Sequence, residues 1–372
     1  MKVGIDTFGC EHARSGLGSY LLSLAAYLPD SADISYELFG ADIDRYTYST
    51  ERELKYVPVA VHDTFNAQRL WHAFSVNRFA SRRSYDVVLY TSAAHMMPYS
   101  FKVPGVAVVN DIMSGLLKSC KNILAVHQIR TGLKNVPRII AASQYICNDL
   151  EQLGIDVNKI DVIYNGIDHS HFYPHPLPDN NTVTIKPFAI KRPYLIYASR
   201  MNGPSKKHIE LIKAFTVFKE RTHLPHRLVL AGSEGPYAAE IQKAVSKSSA
   251  VSDIFLTGYF PAESFPELYS GADACIFPSV SEGVGLPVIE AMATGIPVAC
   301  SCSGVLPEIA GENALFFDAD DIEKFAGAIE KIVTDKNMRE HLTSSGLEWA
   351  KRYQWDRTAR MTLAVLRTVA ST

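Results

Sequence analysis

Two glutamates that flank a glycine-rich turn are the residues of this chain best suited to chemistry. Glu282 and Glu290 bracket a short run: Gly283, Val284, Gly285, Leu286 and Pro287. Glycines allow a sharp bend and a close approach to a ligand, and proline suits the first turn of a helix, where its missing N–H is not needed. The pattern therefore predicts a turn that ends at a helix N-terminus, where free N–H groups attract an anion such as phosphate.

The two carboxylates beside this helix end suggest a ligand of mixed character. Carboxylates accept hydrogen bonds from hydroxyl groups and repel phosphates, so the pair predicts a ligand with both a polyol and a phosphate, such as a nucleotide sugar. The alternative is that Glu282 and Glu290 only complement the helix dipole. The apolar run Ala274 to Phe277 predicts a buried strand before the turn. Open α/β sheets bind ligands at the carboxyl ends of strands, so this position favours binding.

The segment around the turn contains Gly271-Ala272-Asp273, Pro278-Ser279, Glu282 to Pro287, Glu290-Ala291-Met292-Ala293 and Gly295-Ile296-Pro297-Val298. Together these residues resemble the signature of retaining GT-B glycosyltransferases of family 4. The resemblance implies an α/β fold of two Rossmann-like doubly wound domains that face each other across a cleft. It also implies that the last helix crosses back to the N-terminal domain.

The alternation of short apolar runs with helical patterns independently predicts parallel sheets with crossover helices. The strands predicted in the first half are Val3 to Asp6, Ser35 to Phe39, Asp86 to Tyr90, Val106 to Val109, Arg138 to Ala142 and Asp161 to Tyr164. Those predicted in the second half are Tyr194 to Ala198, Arg227 to Ala231, Asp253 to Thr257, Asp273 to Phe277, Ile296 to Cys300 and Ala314 to Phe317. The predicted helices are Gly18 to Leu28, Tyr145 to Leu153, Lys206 to Arg221, and helices from Asp321 to Arg352 and on to Val369.

A chain of 372 residues suits two domains. The segment Phe172 to Pro193 is rich in proline and asparagine, which predicts a linker or surface loop. We therefore expect an N-terminal, acceptor-side domain over residues 1–185 and a nucleotide-sugar donor domain over residues 186–354. Residues 355–372, after a bend at Tyr353 to Asp356, form the returning helix.

The resemblance implies further donor contacts in the second domain. Arg200 and Lys206 frame a Gly-Pro turn directly after the first strand, where two cations would neutralise a diphosphate, and Lys207 is a second candidate. Gly232 lies in the next donor-side loop. The backbone of Gly258 to Phe260 is expected to meet the nucleotide base, and Tyr259 or Phe260 is a candidate to stack on it; the alternative is that both aromatics belong to the core.

Further candidate residues lie in the first domain. The run Arg14 to Tyr20 places Gly16 and Gly18 at the start of the first helix, where backbone amides can approach the donor's phosphates from the opposite side, although many strand-to-helix turns use glycine simply to bend. The family usually has a His-Asp pair where this chain has Asn110 and Asp111. Asparagine cannot act as a base near neutral pH, so the chain is either a variant that does not need the imidazole or an impaired member. His95 is a candidate substitute.

The reaction implied is transfer of a hexose from a nucleotide diphosphate sugar, GDP-mannose or a UDP-hexose, with retention of configuration. No metal site is predicted, because Asp318, Asp320 and Asp321 look like capping residues, and no cofactor is expected. The acceptor implied is a glycan or a lipid-linked saccharide used in surface polysaccharide assembly. Two alternatives remain: a nucleotide-sugar-binding subunit that has lost transfer, and a GT-B epimerase or phosphorylase.

The composition of the chain limits the expected cellular location of the protein and the partners that it can bind. The net charge of −2 gives no general attraction to nucleic acid. The six scattered cysteines suit a reduced, cytoplasmic protein. Basic residues lie among apolar ones in the first domain, which is compatible with a peripheral site on an anionic membrane or with ordinary solvated helices. The residues concerned are Arg69, Arg78, Arg82 and Arg83 with Trp71, Phe74 and Phe79, and Lys118, Lys121, Arg130, Lys134 and Arg138 with Leu116, Leu117, Ile123, Leu124 and Ile129.

Overall fold

The chain forms two compact units, each built on a parallel sheet. The computed structural model describes residues 1–13, 15–48, 54–176, 182–185 and 188–371. Unit 1 comprises Met1–Gly166 together with Gln354–Thr372, and unit 2 comprises Ile167–Tyr353. Arg14 of the predicted Gly-x-Gly turn lies outside the described residues, as do residues 177–181 and 186–187 of the predicted linker.

The sheet of unit 1 is parallel throughout and has the strand order β3-β2-β1-β4-β5-β6-β7. Its strands are β1 (Lys2–Asp6), β2 (Ser35–Ala41), β3 (Lys55–Val59), β4 (Val87–Tyr90), β5 (Gly105–Val109), β6 (Arg138–Ala141) and β7 (Ile160–Val162). Its helices are α1 (Gly16–Tyr27), α2 (Phe65–Phe74), α3 (Val76–Arg82), α4 (Met113–Ser119), α5 (Ile123–Asn135) and α6 (Gln144–Gln152), with 3₁₀ turns at Glu11–Ala13, Asp42–Asp44 and Val157–Lys159. Helices cover both faces of a parallel sheet, so the side chains on both sides of each strand are buried. The nearly continuous apolar sequence of the strands fits this burial.

The sheet of unit 2 is also parallel, with the order β12-β11-β10-β13-β14-β15. These strands are β10 (Tyr194–Ala198), β11 (Arg227–Ala231), β12 (Ile254–Gly258), β13 (Ala274–Phe277), β14 (Val298–Ser301) and β15 (Leu315–Phe317). A separate antiparallel pair consists of β8 (Thr182–Ile185) and β9 (Phe188–Lys191). The helices are α7 (His208–Thr222), α8 (Ala238–Lys247), α9 (Phe265–Ser270), α10 (Leu286–Ala293), α11 (Leu306–Ala310), α12 (Ile322–Thr334) and α13 (Lys336–Ala350), with 3₁₀ turns at Pro204–Lys206, Val251–Asp253 and Ala262–Ser264.

The last helix, α14 (Trp355–Ala370), belongs to unit 1. Its buried face joins the core formed by α1 and the central strands, and Trp355 packs edge-on against Tyr20 with ring centroids 5.7 Å apart. The Thr358 hydroxyl donates to the Tyr164 carbonyl at 2.7 Å. The predicted return of the C-terminal helix to the N-terminal domain is confirmed.

The segment predicted as a linker is only partly irregular. Its second half contains the β8-β9 hairpin, in which Val183 and Ile190 are buried. A side chain at Gly271 would collide with Val183, which shows how closely β8 packs on unit 2. The hairpin was not predicted from the composition of Phe172 to Pro193, because polar and proline-rich residues surround its two short apolar stretches.

The two units divide at Gly166 and Ile167, earlier than the expected position at residue 185. The residues after the division pack on unit 2: the Phe172 ring lies 6.4 Å from that of Tyr269, and the His175 amide donates to the Ser270 hydroxyl at 3.3 Å. The second division, between Tyr353 and Gln354, falls within the predicted bend. Among the helices of the described residues, none combines the length and apolar character needed to cross a bilayer.

Candidate active site

At the centre of the sheet of unit 2, the loops that follow two paired strands lie at the same edge of the sheet. Strands β10 and β13 are paired in parallel, with Leu195 opposite Ala274 and Ile196 opposite Cys275. They lie where the strand order reverses, and a crevice forms outside the carboxyl ends of strands at such a point. The loop after β10 carries Arg200 and Lys206, and the loop after β13 carries the glutamate-glycine turn. The topology thus places the predicted cations and the predicted turn at the same edge of one sheet.

Lys206 and Glu282 are in direct contact. The Lys206 Nζ lies 2.6 Å from Glu282 Oε1, and the two side chains are partly shielded from solvent, with 23% and 16% of their surfaces exposed. Backbone contacts fix both loops. The Val280 amide donates to the Ser205 carbonyl at 2.9 Å, and the Tyr197 hydroxyl donates to the Lys206 carbonyl at 2.8 Å. The two residue types expected to bind a diphosphate and a polyol therefore neutralise each other in this structure.

The glycine turn leads directly into α10. Gly285 has φ +72°, a left-handed conformation that disfavours other residues, and a β-carbon there would meet Leu306 and Val305 at 3.3 Å. Pro287 lies in the first turn of α10, and the N-cap residue, Gly285, has no side chain to cap that turn. These amides and the positive end of the helix are suited to an anionic ligand.

Glu290 lies one turn into α10 in a low-polarity environment. Burial raises the pKa of its carboxyl to about 7. Burial and then the charge of Glu290 raise the pKa values of the Cys275 thiol and the Tyr269 phenol, so both groups lie nearby. A carboxyl group held part-protonated at neutral pH is a feature of functional sites more often than of surface glutamates.

Three loops at this edge are joined by backbone hydrogen bonds. The Ser199 amide donates to the Ala231 carbonyl at 2.8 Å, the Met201 amide to the Ser233 carbonyl at 3.2 Å, and the Gly232 amide to the Gly258 carbonyl at 3.0 Å. Gly232 has φ +152°, and a β-carbon there would lie 2.1 Å from the Ser199 carbonyl oxygen, so no larger residue fits. Arg200 is exposed on the first of these loops.

The third loop separates its two aromatic residues. Gly258 has φ +70°, Tyr259 is 73% exposed, and Phe260 is buried at 2% exposure. Phe260 packs edge-on near Phe265, with centroids 6.4 Å apart, as a core residue does. Of the two rings, Tyr259 is the one available to stack on a base.

Lys207 and Asp320, near Lys206, make contacts that the sequence did not predict. Lys207 contacts Asp320 at 2.5 Å and Glu210 at 3.7 Å, and the hydrogen bond to Asp320 raises its pKa. Its charge is therefore compensated within unit 2. Asp321 caps α12 as predicted, because its side chain accepts from the Lys324 amide at 3.1 Å. Asp320 pairs with Lys207 instead.

His208, the first residue of α7, was not among the candidates predicted from the sequence. It is 1% exposed, burial lowers its pKa to about 4, and its ring lies 4.8 Å from that of Tyr197. Its Nδ1 is buried and has no hydrogen-bond partner within the described part of the chain. The available signal was a histidine directly after Lys206 and Lys207 at a strand edge.

The predicted residues of unit 1 lie at the edge of its own sheet. Ser15 caps α1, since its hydroxyl accepts from the Gly18 amide at 3.2 Å. A β-carbon at Gly18 would lie 2.4 Å from Ala13 Cα, whereas Gly16 is exposed and no atom of the described residues lies within 4 Å of the corresponding position. Gly18 thus allows the preceding loop to pack on the helix, and Gly16 leaves its backbone accessible.

Asn110 and Asp111 follow β5, as expected. The Asn110 amide oxygen accepts from Asn165 Nδ2 at 3.5 Å, and its amide nitrogen is buried without a hydrogen-bond partner among the described residues. Burial raises the pKa of Asp111, and the nearby His95 partly offsets that rise. His95 therefore lies close to the pair that departs from the family pattern.

Two doubly wound α/β units in one chain are the architecture of the GT-B class. In this chain, unit 2 carries cations and carboxylates where its strand order reverses. The family model for Glycosyltransferase Family 4 matches residues 14–171, and that for Glycosyl transferases group 1 matches residues 181–349. The two models together span most of the chain. The chain belongs to the GT-B glycosyltransferases that combine these two domain families.

The curated relatives agree with this family. The chain is 32% identical over 170 residues to O-antigen chain mannosyltransferase B of Escherichia coli, covering 46% of this chain and 44% of that protein. It is 25% identical over 266 residues to sulfoquinovosyl transferase SQD2 of Arabidopsis thaliana, covering 70% of this chain and 49% of that protein. The chain thus spans about half the length of these relatives.

Solved structures share the fold over the whole chain. Sucrose-phosphate synthase of Thermosynechococcus elongatus has a TM-score of 0.75 at 19% identity, covering 100% of this chain and 99% of that one. Anabaena HepE in complex with UDP and glucose also has a TM-score of 0.75, at 16% identity, covering 99% of this chain and 100% of that one. At these identities the likeness shows the fold alone.

Proposed function

We propose that this protein is a retaining glycosyltransferase that moves a hexose from a nucleotide diphosphate sugar to a glycan or lipid-linked acceptor. The observation that carries the proposal is the contact of Lys206 with Glu282 beside the uncapped N-terminus of α10. A cation, a helix end and a carboxylate within one loop system suit a ligand that joins a diphosphate to a sugar.

Each donor-side residue has a distinct role in this proposal. Lys206, Arg200 and the amides of the turn from Gly283 to Leu286 bind the diphosphate, with Val284 in the middle of that turn. Glu282 accepts hydrogen bonds from the transferred sugar, and Glu290 accepts them from the ribose. Gly232 keeps its loop close enough for backbone contact with the phosphates, and Tyr259 stacks on the base.

The reaction needs no covalent enzyme intermediate and no metal or cofactor in this proposal. The acceptor oxygen forms a bond to the anomeric carbon on the face from which the donor phosphate oxygen departs. The bond to that phosphate oxygen breaks, and the leaving nucleoside diphosphate takes the proton of the acceptor hydroxyl. Lys206, Arg200 and the helix end stabilise the negative charge that grows on the diphosphate, a preorganised effect commonly worth about 10² to 10³ in rate.

A mannosyl donor such as GDP-mannose is the first donor to test, with UDP-hexoses next. Two groups of relatives are named as mannosyltransferases: O-antigen chain mannosyltransferase B and the serotype-specific mannosyltransferase WbdA of Escherichia coli. Their names also motivate a role in surface polysaccharide synthesis. We place the activity in the cytoplasm because nucleotide sugars are the proposed donors.

A donor panel tests the proposal and its alternatives together. Product analysis with GDP-mannose and UDP-hexoses should show release of nucleoside diphosphate and formation of a glycoside with the donor's anomeric configuration. Binding without turnover of any donor would instead support a partner subunit impaired at Asn110. Conversion of one nucleotide sugar into its epimer would support the epimerase alternative.

We further propose that unit 1 contacts an anionic membrane. Large apolar side chains are exposed on α2 and at the start of α5: Phe65, Leu70, Phe74, Ile123 and Leu124, at 50%, 50%, 76%, 82% and 68%. Lys118, Lys121 and Arg130 are exposed nearby in sequence. Trp71 and Phe79 are half-buried; their rings contact each other, and that of Trp71 also contacts Phe39. Apolar side chains with cations favour an anionic lipid surface.

Liposome flotation checks the membrane proposal. The protein should float with vesicles that contain phosphatidylglycerol. It should not float with vesicles of pure phosphatidylcholine. The double variant Ile123→Ser with Leu124→Ser should lose this binding, because both side chains are mostly exposed and their removal leaves the fold intact. Equal flotation with both vesicle types, or none, would remove the membrane from the proposal.

A further inference from the structure

The hydroxyl of Tyr197 is a buried polar group in unit 2 next to the loop that carries Lys206. Tyr197 lies on β10 and is completely buried, and its ring packs edge-on against that of Phe277 with centroids 5.3 Å apart. A phenylalanine could make the same ring contact, so the hydroxyl is the feature that requires an explanation. Burying a hydroxyl is costly unless it forms a hydrogen bond.

The partner of this hydroxyl is the backbone of the residue proposed to bind the diphosphate. Tyr197 Oη donates to the Lys206 carbonyl at 2.8 Å. Burial and then the charge of Glu282 raise the pKa of the Tyr197 phenol well above its usual value, so the hydroxyl keeps its proton and remains a donor at neutral pH. Lys206 is therefore held at its carbonyl by Tyr197, while its ammonium group contacts Glu282 at 2.6 Å.

The residue before Lys206 is held in a similar way. The Ser205 carbonyl accepts from the Val280 amide at 2.9 Å and from the Ser279 hydroxyl at 3.5 Å. The Ser301 hydroxyl in turn donates to the Ser279 carbonyl at 2.6 Å, and both of these serines are completely buried. Two successive carbonyls of the cation loop thus accept hydrogen bonds, one from β10 and one from the loop after β13.

The group that packs on the Tyr197 ring is uncharged. His208 is buried, and its ring lies 4.8 Å from that of Tyr197. Burial, a hydrogen bond with the Ser199 backbone and the charge of Lys206 together set its pKa at about 4, so the imidazole is neutral at pH 7. A neutral neighbour adds no repulsion to the Lys206 ammonium group. The support for this lysine consists of neutral groups, which leave its charge to Glu282 and to a ligand.

The loop itself has few hydrogen bonds that could fix Lys206. Within the 3₁₀ turn, the Lys206 amide donates to the Gly203 carbonyl at 3.3 Å, and the Lys207 amide donates to the Pro204 carbonyl at 3.0 Å. Lys207 has φ +55°, a left-handed conformation that is unfavourable for a residue with a side chain. A lysine carries its charge on a flexible four-carbon stem, so the position of its backbone decides which sites the ammonium group can reach.

We propose that Tyr197 is a positioning residue of the transfer reaction: its hydroxyl fixes the backbone of Lys206 and thereby the ammonium group that stabilises the departing diphosphate. The inference rests on the proposed glycosyltransferase function and adds to it a residue that acts through Lys206 without touching the substrate. Misplacing a group by about 1 Å can cost roughly 10²-fold in rate even when the change lies far from the chemistry. A buried hydroxyl behind the site can therefore affect turnover.

Two isosteric variants on the same strand test this role. Tyr197→Phe removes the hydroxyl and keeps the ring contacts, so the fold should be retained. Tyr194→Phe is the matched control: Tyr194 is also completely buried on β10, and its hydroxyl donates to the Leu268 carbonyl at 2.6 Å. Three residues separate the two tyrosines, so their side chains lie on opposite faces of the sheet. Each variant loses one buried hydrogen bond to a backbone carbonyl, and the two should lose similar thermal stability.

Steady-state turnover of the donor that the wild type consumes gives the first result. Tyr197→Phe should lower kcat roughly tenfold, the upper range for one neutral hydrogen bond. KM for the donor should change little, because the negative charge on the leaving diphosphate grows in the transition state. Tyr194→Phe should have the kcat of the wild type. Equal kcat values for the two variants would overturn the inference, since their loss of stability is matched.

Amide hydrogen exchange on the full chain without substrate separates this inference from the proposed function. The amides of Lys206 and Lys207 should exchange several-fold faster in Tyr197→Phe and at the wild-type rate in Tyr194→Phe. Faster exchange together with the lower kcat supports both proposals. Unchanged exchange in Tyr197→Phe overturns the positioning role even if a donor is consumed. Faster exchange in a protein that consumes no nucleotide sugar overturns the transferase, and Tyr197 is then a support of the loop without a role in transfer.

Discussion

At the scale of single residues, the contact between Lys206 and Glu282 is the most informative feature of the molecule. The structure joins two residues that sequence analysis assigned to different parts of the donor. In the proposed function this ion pair opens or is shared when the diphosphate binds, because phosphate competes with Glu282 for the same ammonium group. On that proposal the pair sets the balance between binding of the bare nucleotide and binding of the nucleotide sugar.

Neutralising Glu282 should separate nucleotide binding from sugar transfer. In Glu282→Gln, Lys206 is released for phosphate and a repulsive charge disappears, so we expect a nucleoside diphosphate to bind several-fold more tightly. Transfer should fall by about two orders of magnitude, because the sugar loses its carboxylate contact. Calorimetry with GDP and UDP, together with turnover, measures both effects. Weaker binding of the bare nucleotide would contradict the ion-pair account.

Glu290 should link donor binding to protonation. Burial holds its pKa at about 7 in the free protein. Hydroxyl groups that donate to the carboxylate favour its charged form and lower this pKa, so nucleotide binding near pH 7 should release a fraction of a proton. Calorimetry in two buffers of different ionisation enthalpy counts the protons released. Glu290→Gln is the control, since the phosphates titrate in both proteins; equal proton release by variant and wild type would refute the role.

The same pKa gives the sign of the contribution of Glu290 to stability. Its folded pKa is raised from 4.5 to about 7, so the unfolded chain loses the proton first as pH rises. The residue therefore opposes folding progressively between about pH 4.5 and pH 7, and Glu290→Gln should stabilise the protein more at pH 7.5 than at pH 4.5. Urea unfolding at the two pH values compares the variant with the wild type.

At the scale of elements, the turn into α10 depends on the backbone of one glycine. Gly285→Ala forces a β-carbon into a left-handed conformation and towards Val305 and Leu306, so we expect a loss of about 1–2 kcal/mol in the free energy of unfolding. Gly327→Ala is the matched control. Gly327 lies inside α12 with open space around it, and alanine there should stabilise by about 0.5–1 kcal/mol.

Urea unfolding followed by far-ultraviolet circular dichroism measures both glycine variants. A Gly285→Ala protein as stable as Gly327→Ala would show that the left-handed turn is not required. Loss of donor turnover in a Gly285→Ala protein that remains folded would place the turn in function as well as in stability.

The buried central strands are the elements that sequence predicts best. Strands β10 and β11 match their predicted bounds. A short, continuously apolar run between polar loops is typical of a buried parallel strand, so its ends can be read from the sequence. Strand β3 was missed, since it carries Pro58 and lies at the edge of the described sheet, where it pairs with β2. The β8-β9 hairpin was missed for a related reason: its apolar stretches are short and surrounded by turn-forming residues.

The candidate site was predictable in its residue types and not in its pairings. The glycine turn and its glutamates form a local pattern, so Glu282, Gly285 and Glu290 could be identified from sequence. The contact of Glu282 with Lys206 joins residues 76 positions apart and depends on the pairing of β10 with β13. The burial of His208, and the pairing of Lys207 with Asp320, depend on three-dimensional packing in the same way.

At the scale of the whole molecule, the two units carry opposite chemistry at the edges of their sheets. Unit 2 has cations and an uncapped helix end, which suit a diphosphate. Unit 1 has a pocket lined by carboxylates and an aromatic ring. A glycosyltransferase needs a site for the donor and a site for the acceptor. The combination of two domain families in one chain is consistent with that division.

Donor turnover is the most direct test of the central claim that the edge of unit 2 activates a nucleotide diphosphate sugar. GDP-mannose and UDP-hexoses are supplied to the wild type and to Arg200→Ala and Lys206→Ala, with circular dichroism to confirm the fold and release of nucleoside diphosphate as the readout. We predict turnover of one donor by the wild type and a decrease of about two orders of magnitude in each variant. Wild-type turnover by a folded Lys206→Ala protein, or no consumption of any donor by the wild type, would contradict the account.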